Sequence, residues 1–316
     1  MLMGMVLMAG CAAVPTAAPP DVPNARRPAN DAELRYWLQN MVWYHGFDLG
    51  EIRAATGMSR TEIERALRRF RIKGAGPPAR RSDGTPLVLP YPGGRHPRIG
   101  FLEGAVDPQR ETKVSIFAPW DQGGYAVADV PEAIWCDGKL LYLAHTHVPT
   151  VWSEQGVELE KLEWNRHPDG TLDFERKLPN GVVFGTRVTP HQGGAVWMET
   201  WLHNGTTRTL TGLHMQMCVM LKGLADFSGL SDRDRQDARP YVAARSGDGR
   251  RWIITAWEPC RRLWINPLVP CLHSDPQLPD CPPGQTSRAR GLLAFHEGEN
   301  VEAVFRGLDA SGWRGE

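Results

Sequence analysis

The sequence predicts a mainly β protein: a large antiparallel β-sandwich preceded by a small three-helix unit. The sandwich is predicted from four segments in which inward-facing and outward-facing residues alternate: Leu172–Lys177, Val182–Thr189, Ala195–Leu202 and Leu213–Leu221. The pair Asn180-Gly181 separates the first two, and such residues accept the positive φ that a tight hairpin requires. We therefore expect an antiparallel meander, and many short strands with such turns are typical of a sandwich.

Composition fits this fold class. The 316 residues suffice for one large β domain and a small satellite unit. The 36 basic and 36 acidic residues balance, so no global charge favours nucleic acid or an anionic membrane. The 12 Trp, 33 Gly and 26 Pro suit a turn-rich β protein whose exposed indoles can bind ligands. No long apolar run is present, so no transmembrane helix is expected.

Residues 1–30 are predicted to be a lipoprotein signal followed by a disordered tether. The apolar start ends in Ala9-Gly10-Cys11 and resembles the end of a bacterial lipoprotein signal, in which Cys11 would carry the lipid. It departs from that pattern in Met8 and in lacking a basic start, so plain secretion and a cytosolic protein remain alternatives. An Ala/Pro-rich run to Asn30 cannot bury a core. We expect an extracytoplasmic protein that contacts the bacterial envelope membrane only through this lipid.

Residues 31–75 predict three short helices. Asp48–Glu51 and Ser59–Glu62 have capping-box spacing, and Gly57 lies between the two helices they open. The unit resembles a helix-turn-helix, with Ser59–Arg71 where a recognition helix would lie. Its arginines could meet phosphates, but acidic Glu64 shares the helix, and no Asn or Gln there could read adenine edges. A packing or docking role is favoured, and nucleic acid is not expected as a partner.

Residues 76–97 are rich in Pro, Gly and Arg and predict a linker, so the β-sandwich domain is expected to span residues 98–316. Asp137-Gly138 predicts a further tight hairpin. The other predicted strands are Val114–Phe117, Tyr125–Val130, Ala133–Cys136, Leu140–Val148, Arg251–Trp257, Gly291–His296 and Val301–Phe305.

One family resemblance emerges from the central strands. The segments that carry it are Leu172-Asp-Phe-Glu, Leu178-Pro-Asn-Gly181, Val182–Val188, Trp197-Met-Glu-Thr-Trp201 and Asn204-Gly-Thr206. Their succession resembles the galactose mutarotase-like supersandwich superfamily, which includes sugar epimerases and domains of glycosidases and polysaccharide lyases. The resemblance spans roughly Glu163 to Phe305 and implies a supersandwich with a carbohydrate-related activity.

The strand Ala195–Leu202 supplies the first candidate site. Its alternation places Trp197, Glu199 and Trp201 on one face. Indoles stack on the C–H faces of sugars, and a carboxylate between them can accept hydroxyl protons. If the apolar faces of this strand and the next one pair, Glu199 as base would meet His214 as acid, with Gln216 beside them. The alternative is indoles packed on a second layer and Glu199 paired with an Arg.

A second candidate is His145-Thr-His147 at the end of a strand, where both imidazoles point to one side. The spacing suits two ligands of one metal ion or an acid for proton transfer, and hydrogen-bonded structural histidines are the alternative. An aromatic residue follows in the same loop, and loops elsewhere carry polar tips and arginines that could bind a uronic acid. These further candidates for substrate contacts are Trp152, Trp120, Asp121, Arg98 and Arg110.

The cysteines admit two interpretations. In an exported protein, Cys271 and Cys281 flank a Pro-rich loop and are the best disulfide candidates, with Cys260 able to replace either. A zinc site formed by Cys260, Cys271, His273 and Cys281 is the alternative, although Cys-x-x-Cys spacing is lacking. No nucleotide-binding fingerprint appears, and no cofactor is expected.

Taken with the aromatic and carboxylate face, these features favour an exported carbohydrate-active protein. It would bind a glycan or oligosaccharide on the concave sheet face and, if it is an enzyme, epimerise, eliminate or hydrolyse it. A non-catalytic glycan-binding or envelope scaffold protein is the first alternative. A metal-dependent hydrolase and a cytosolic DNA-binding sensor are the others.

Overall fold

The computed structural model describes residues 25–74, 76–77, 83–93, 110–120, 123–145 and 148–315. Four predicted functional residues lie outside this part of the chain: Cys11, Arg98, Asp121 and His147. Among the described residues, no helix is both long enough and apolar enough to span a bilayer.

The helical unit has the predicted caps. It comprises α1 (Asp31–Gln39), α2 (Leu49–Thr56) and α3 (Arg60–Arg69). The Asp48 side chain accepts from the Glu51 amide at 2.8 Å, and the Glu51 carboxylate accepts from the Asp48 amide at the same distance. A second capping box opens α3, and Gly57 ends α2 in the left-handed region at φ 67°. Both boxes are therefore confirmed.

Fifteen strands occur among the described residues. In chain order they are β1 (Leu87–Pro90), β2 (Lys113–Phe117), β3 (Tyr125–Cys136), β4 (Lys139–Leu143), β5 (Asn165–Arg166), β6 (Leu172–Lys177), β7 (Val182–His191), β8 (Ala195–Asn204), β9 (His214–Met220), β10 (Arg235–Ala238), β11 (Tyr241–Arg245), β12 (Arg251–Glu258), β13 (Cys260–Asn266), β14 (Cys271–Pro276) and β15 (Thr286–Glu297).

The strands form two antiparallel sheets. Sheet I has the order β1-β2-β3-β9-β14-β13, with β4 paired to β3, and sheet II has the order β10-β11-β12-β15-β8-β7-β6-β5. Their inner faces bury one apolar core, to which sheet I contributes Met215 and Met217 and sheet II contributes Phe184 and Leu202. The predicted antiparallel β-sandwich is confirmed.

The meander is shorter than predicted. Strands β6, β7 and β8 are consecutive neighbours in sheet II, and Gly181 takes φ 93° in the turn between the first two. Strand β9, the fourth predicted member, pairs with β3 and β14 in sheet I instead. The chain therefore crosses from one sheet to the other between Asn204 and His214.

The helical unit packs on the outer face of sheet I. Leu38 and Met41 are completely buried in a cluster that also contains Phe117 and Met220 of the sheet. A buried hydrogen bond of 2.7 Å joins His45 Nε2 to the Ser115 hydroxyl. The unit and the sandwich consequently share a core.

The boundaries predicted at the N-terminal side change accordingly. Strand β1 lies within the predicted linker and pairs with β2. The end of the predicted tether is also held in place, because the Arg26 amide donates to the Ala55 carbonyl at 2.9 Å and its guanidinium lies 2.7 Å from the Glu111 carboxylate. These contacts tie the residues before α1 to the folded protein.

The last predicted strand is a helix. Val301–Phe305 begins α4 (Val301–Asp309), and the Asn300 side chain accepts from the Ala303 amide at 3.0 Å. Val301 and Phe305 stand one helical turn apart and pack on the outer face of sheet II, where the Phe305 ring stacks on Tyr241 at 5.0 Å. Val304 packs on the same cluster while Ala303 is exposed, and this is the burial pattern of a helix. A strand would instead place Val301, Ala303 and Phe305 together on one face.

Candidate functional site

A cavity of about 410 Å³ opens on the outer face of sheet I, next to the helical unit. Its volume falls in the range of small-molecule sites, about 300–1,000 Å³. Its wall combines two indoles with polar groups and thiols: Trp135, Trp264, Glu132, His145, Gln216, Asn266, His273, Cys218 and Cys271.

Strand alternation and one irregularity bring these side chains together. On β9 the side chains of Met215 and Met217 enter the core, so Gln216 faces outward into the cavity. On β3 the register with β9 shifts between Asp129 and Ala133. Three residues of β3 thus stand opposite a single residue of β9, and such a bulge changes the direction of side chains. Glu132 is one of those three.

Glu132 is the central residue of a hydrogen-bonded group. His145 Nε2 lies 3.2 Å from Glu132 Oε1, and Gln216 Nε2 donates to Oε2 at 2.5 Å. Burial raises the pKa of Glu132, but the hydrogen bond to His145 and the positive charge of His273 outweigh it, and the pKa falls to about 2. Glu132 is therefore a carboxylate at neutral pH.

A second, fully buried carboxylate lies behind His145. Asp129 Oδ2 is 3.7 Å from His145 Nε2 and 2.9 Å from Lys113 Nζ, and both Asp129 and Lys113 are 0% exposed. Burial raises the pKa of Asp129, against the opposing charges of Lys113 and His145. His145 is thus positioned between two acidic side chains.

A cluster of two thiols and an imidazole lies on the same wall. The ligand atoms of Cys218, Cys271 and His273 lie within 4.8 Å of one another, and all three residues are buried. The His273 ring stacks on Trp264 at 3.7 Å, and its Nε2 lies 3.1 Å from Cys271 Sγ. The hydrogen bond from Cys218 and the charge of His273 lower the pKa of the Cys271 thiol despite its burial.

Glu199 and His214, predicted to act together, leave the sandwich on opposite faces. Glu199 lies on the outer face of sheet II and accepts from Arg288 Nη1 at 3.0 Å. His214 lies on sheet I, where its ring stacks on Trp135 at 5.1 Å. Since β8 and β9 belong to different sheets with their apolar faces inward, their polar faces point apart. The predicted juxtaposition of Glu199 and His214 is wrong. Of the alternative, the pairing of Glu199 with an Arg is observed.

The two indoles beside Glu199 also lie away from the cavity. Trp197 stacks on His191 at 3.7 Å, and Trp201 Nε1 donates to the Glu175 carboxylate at 3.3 Å. Both remain partly exposed on sheet II.

Two predicted site residues line the cavity: His145, a candidate acid or metal ligand, and Gln216, a candidate substrate contact. Trp152 is buried, and its Nε1 donates to the Leu141 carbonyl at 2.7 Å. Trp120 stacks on Phe227 at 5.7 Å. Arg110 is 3% exposed and donates to Glu163 at 3.1 Å, so it is not available to a uronic acid.

The predicted Cys271–Cys281 disulfide is not formed, and both residues are free thiols. Cys271 faces outward beside His273, whereas Cys281 is buried between the sheets with its Sγ 3.2 Å from the Gln285 carbonyl. The two cysteines therefore lie on opposite faces of sheet I. The zinc alternative fails for the same reason, since Cys281 cannot join the other ligands.

Five of the polar, aromatic and thiol residues of the cavity wall were missed from the sequence: Glu132, Trp135, Cys218, Trp264 and Asn266. The sequence does contain a signal for Glu132. Pro131 interrupts a run of strand-forming residues, and a proline inside a strand marks a bulge or an edge. Bulges redirect side chains, so the residue after this proline was a candidate.

No protein-family model and no curated protein matches this chain. Several solved structures do align with it. The Slr1438 protein of Synechocystis sp. PCC 6803 has 11% identity over 58% of this chain and 87% of its own, with a TM-score of 0.33. A candidate aldose 1-epimerase of Escherichia coli K12 has 12% identity over 54% and 84%, with a TM-score of 0.34. A candidate mutarotase of Salmonella typhimurium has 9% identity over 58% and 94%, with a TM-score of 0.33. Two of the three carry names from the superfamily that the sequence resembles, but TM-scores this low assign no activity to this chain.

Proposed function

We propose that the cavity on sheet I binds a neutral monosaccharide unit, free or at the end of a glycan, and that it does so without turnover. The observation that carries the proposal is the ionised Glu132 in a wall that also contains Trp135 and Trp264. A sugar presents hydroxyl donors and apolar C–H faces together, and this wall offers a partner for each.

The state of Glu132 favours binding over catalysis. A general base works best when its pKa lies near the working pH. A carboxylate with a pKa of about 2 holds protons too weakly for that role at neutral pH. It is, however, a strong acceptor, since hydrogen bonds to charged groups contribute about 1.5–3 kcal/mol. His145 and Gln216 each hold one oxygen of Glu132, and a ligand hydroxyl would donate to a remaining lone pair of the carboxylate.

Charge defines the ligand class. A uronic acid would place a second carboxylate near Glu132, and like charges in a partly buried site repel. The buried Asp129 lies on the far side of His145 and adds to the repulsion of a ligand carboxylate only from there. Neutral hexoses should therefore bind better than the corresponding hexuronic acids.

The decisive experiment is calorimetric titration of the full chain with matched neutral and acidic sugars. Glu132→Gln should weaken binding of a neutral hexose about tenfold or more, as expected for the loss of a charge-assisted hydrogen bond. Glu199→Gln on sheet II is the matched control and should leave the affinity unchanged. The proposal is wrong if the two variants behave alike, or if any sugar is converted by the wild type and not by Glu132→Gln.

Export and lipid anchoring through Cys11 are part of this proposal. A protein displayed in the envelope would meet glycans there. Labelling with a radioactive fatty acid, compared between wild type and Cys11→Ala, tests the anchor. An unlabelled wild-type chain would contradict it.

A further inference from the structure

We propose that Cys218, Cys271 and His273 bind one divalent metal ion on the wall of the cavity, either Zn²⁺ or an ion with the same preference for sulfur and nitrogen ligands. The proposed sugar contacts do not use the two thiols, although the charge of His273 contributes to the low pKa of Glu132. The metal site rests on its own geometry, and its test needs no sugar, so the two proposals can fail separately.

The backbone fixes the three residues on one face. Strands β9 and β14 are antiparallel, with Cys271 opposite Met220 and Leu272 opposite Val219. The same register places His273 opposite Cys218. Directly opposite and diagonal side chains on one face of such a pair lie within reach of each other. The three donors therefore converge without any loop movement.

The distances suit a small tetrahedral ion. With Zn–S bonds of about 2.3 Å and Zn–N bonds of about 2.0 Å, neighbouring ligand atoms lie roughly 3.5–3.8 Å apart. Here all three donor atoms lie within 4.8 Å of one another, and His273 Nε2 is 3.1 Å from Cys271 Sγ. Side-chain adjustments of about an ångström would close the site.

An indole and a carboxylate lie next to the imidazole, where groups outside the ligand set can influence a metal-binding histidine. Asp275 Oδ1 lies 3.8 Å from His273 Nδ1, which is beyond hydrogen-bond distance but close enough for the carboxylate charge to favour a proton on that nitrogen. Asp275 is itself held by the Met217 amide at 3.0 Å and by Trp264 Nε1 at 2.8 Å. The stacked Trp264 ring fixes the plane of His273.

The donor set selects the metal. Two thiolates with one imidazole are soft ligands that favour zinc-class ions over magnesium or calcium, which require oxygen. Three protein ligands leave a fourth position open, and all three residues line the cavity, so that position faces it. Binding requires two thiolates and a neutral imidazole, so the protons that Cys218, Cys271 and His273 still carry are released to solvent.

The test uses the reduced full chain, freed of metal with a chelator and titrated with Zn²⁺ against a chromophoric competitor. One ion per chain is expected, with proton release to a weakly buffered solution. Co²⁺ in place of Zn²⁺ should give a thiolate-to-cobalt charge-transfer band. Neither readout depends on enzymatic activity or on sugar.

Cys218→Ser, Cys271→Ser and His273→Gln should each lower the Zn²⁺ affinity at least tenfold and reduce the cobalt band. Cys260→Ser, which removes a half-buried thiol outside the cluster, is the matched control and should retain both. Far-UV circular dichroism separates loss of the site from loss of the fold. A wild-type chain without stoichiometric Zn²⁺, or a cobalt band that survives the Cys218→Ser/Cys271→Ser double variant, overturns the proposal.

Discussion

His145 Nε2 lies 3.2 Å from Glu132 Oε1, and both residues belong to one β-hairpin. Glu132 lies in β3 at its irregularity, and His145 follows β4. The Ala144 amide donates to the Glu132 carbonyl at 2.7 Å, which fixes the hairpin where the two side chains meet. The centre of the cavity wall is thus built by a local element, and Gln216 of β9 completes it from a distant part of the chain.

Replacing Trp135 by Ala should weaken binding of a neutral hexose about tenfold. The indole lines the cavity, and aromatic contacts contribute about 0.5–1.5 kcal/mol beyond the area they bury. Trp201→Ala, a similarly half-exposed indole on sheet II, serves as control. Calorimetric titration of both variants measures the difference, and equal affinities would place the ligand elsewhere.

Glu132 should stabilise the fold in a pH-dependent manner. Its folded pKa of about 2 lies below the ordinary Glu value of about 4.3, so its contribution is present above that value and disappears as the pH falls toward the folded pKa. The difference in free energy of unfolding between wild type and Glu132→Gln should therefore narrow between about pH 4.3 and 2. Urea unfolding across this range measures it, and a constant difference would show that Glu132 is not held as a carboxylate.

Glu111→Gln should cost about 3–5 kcal/mol of stability, because it leaves the buried Arg176 without its counter-charge and leaves Arg26 with only Glu163. The Glu111 side chain is 0% exposed and contacts both Arg26 and Arg176, of which Arg176 is 2% exposed. The control is Glu64→Gln, which breaks a surface pair with Arg60 and should cost less than about 0.5 kcal/mol. Chemical denaturation of both variants provides the comparison, and similar costs would mean that the buried network is solvated.

The helical unit and the sandwich should unfold together. Leu38→Ala removes a completely buried side chain from their shared core and should cost about 2–5 kcal/mol. Unfolding followed by circular dichroism and by tryptophan fluorescence should shift by the same amount. Leu268→Ala, at a residue 87% exposed, should change little. Two separate transitions, with only the first one shifted, would restore the independent domains predicted at residues 31–75 and 98–316.

The elements predicted most accurately are those specified by neighbouring residues. Strand β6 has the predicted bounds, and β7 and β8 begin at the predicted residues. Alternation sets their faces and Asn180-Gly181 sets the turn, and both act over a few residues. The two capping boxes were recognisable for the same reason, since side chain and amide lie three residues apart.

The sequence by itself determined the fold class, the helical unit and the alternating faces of the strands, because each follows from local backbone geometry. Only the tertiary structure decided that β9 crosses to sheet I, which separates His214 from Glu199 and brings Cys218 to His273. Strand pairing is a choice among distant partners of similar pattern, and it is settled by how the whole core packs. The cavity follows from that choice, so its residues could be assembled only in three dimensions.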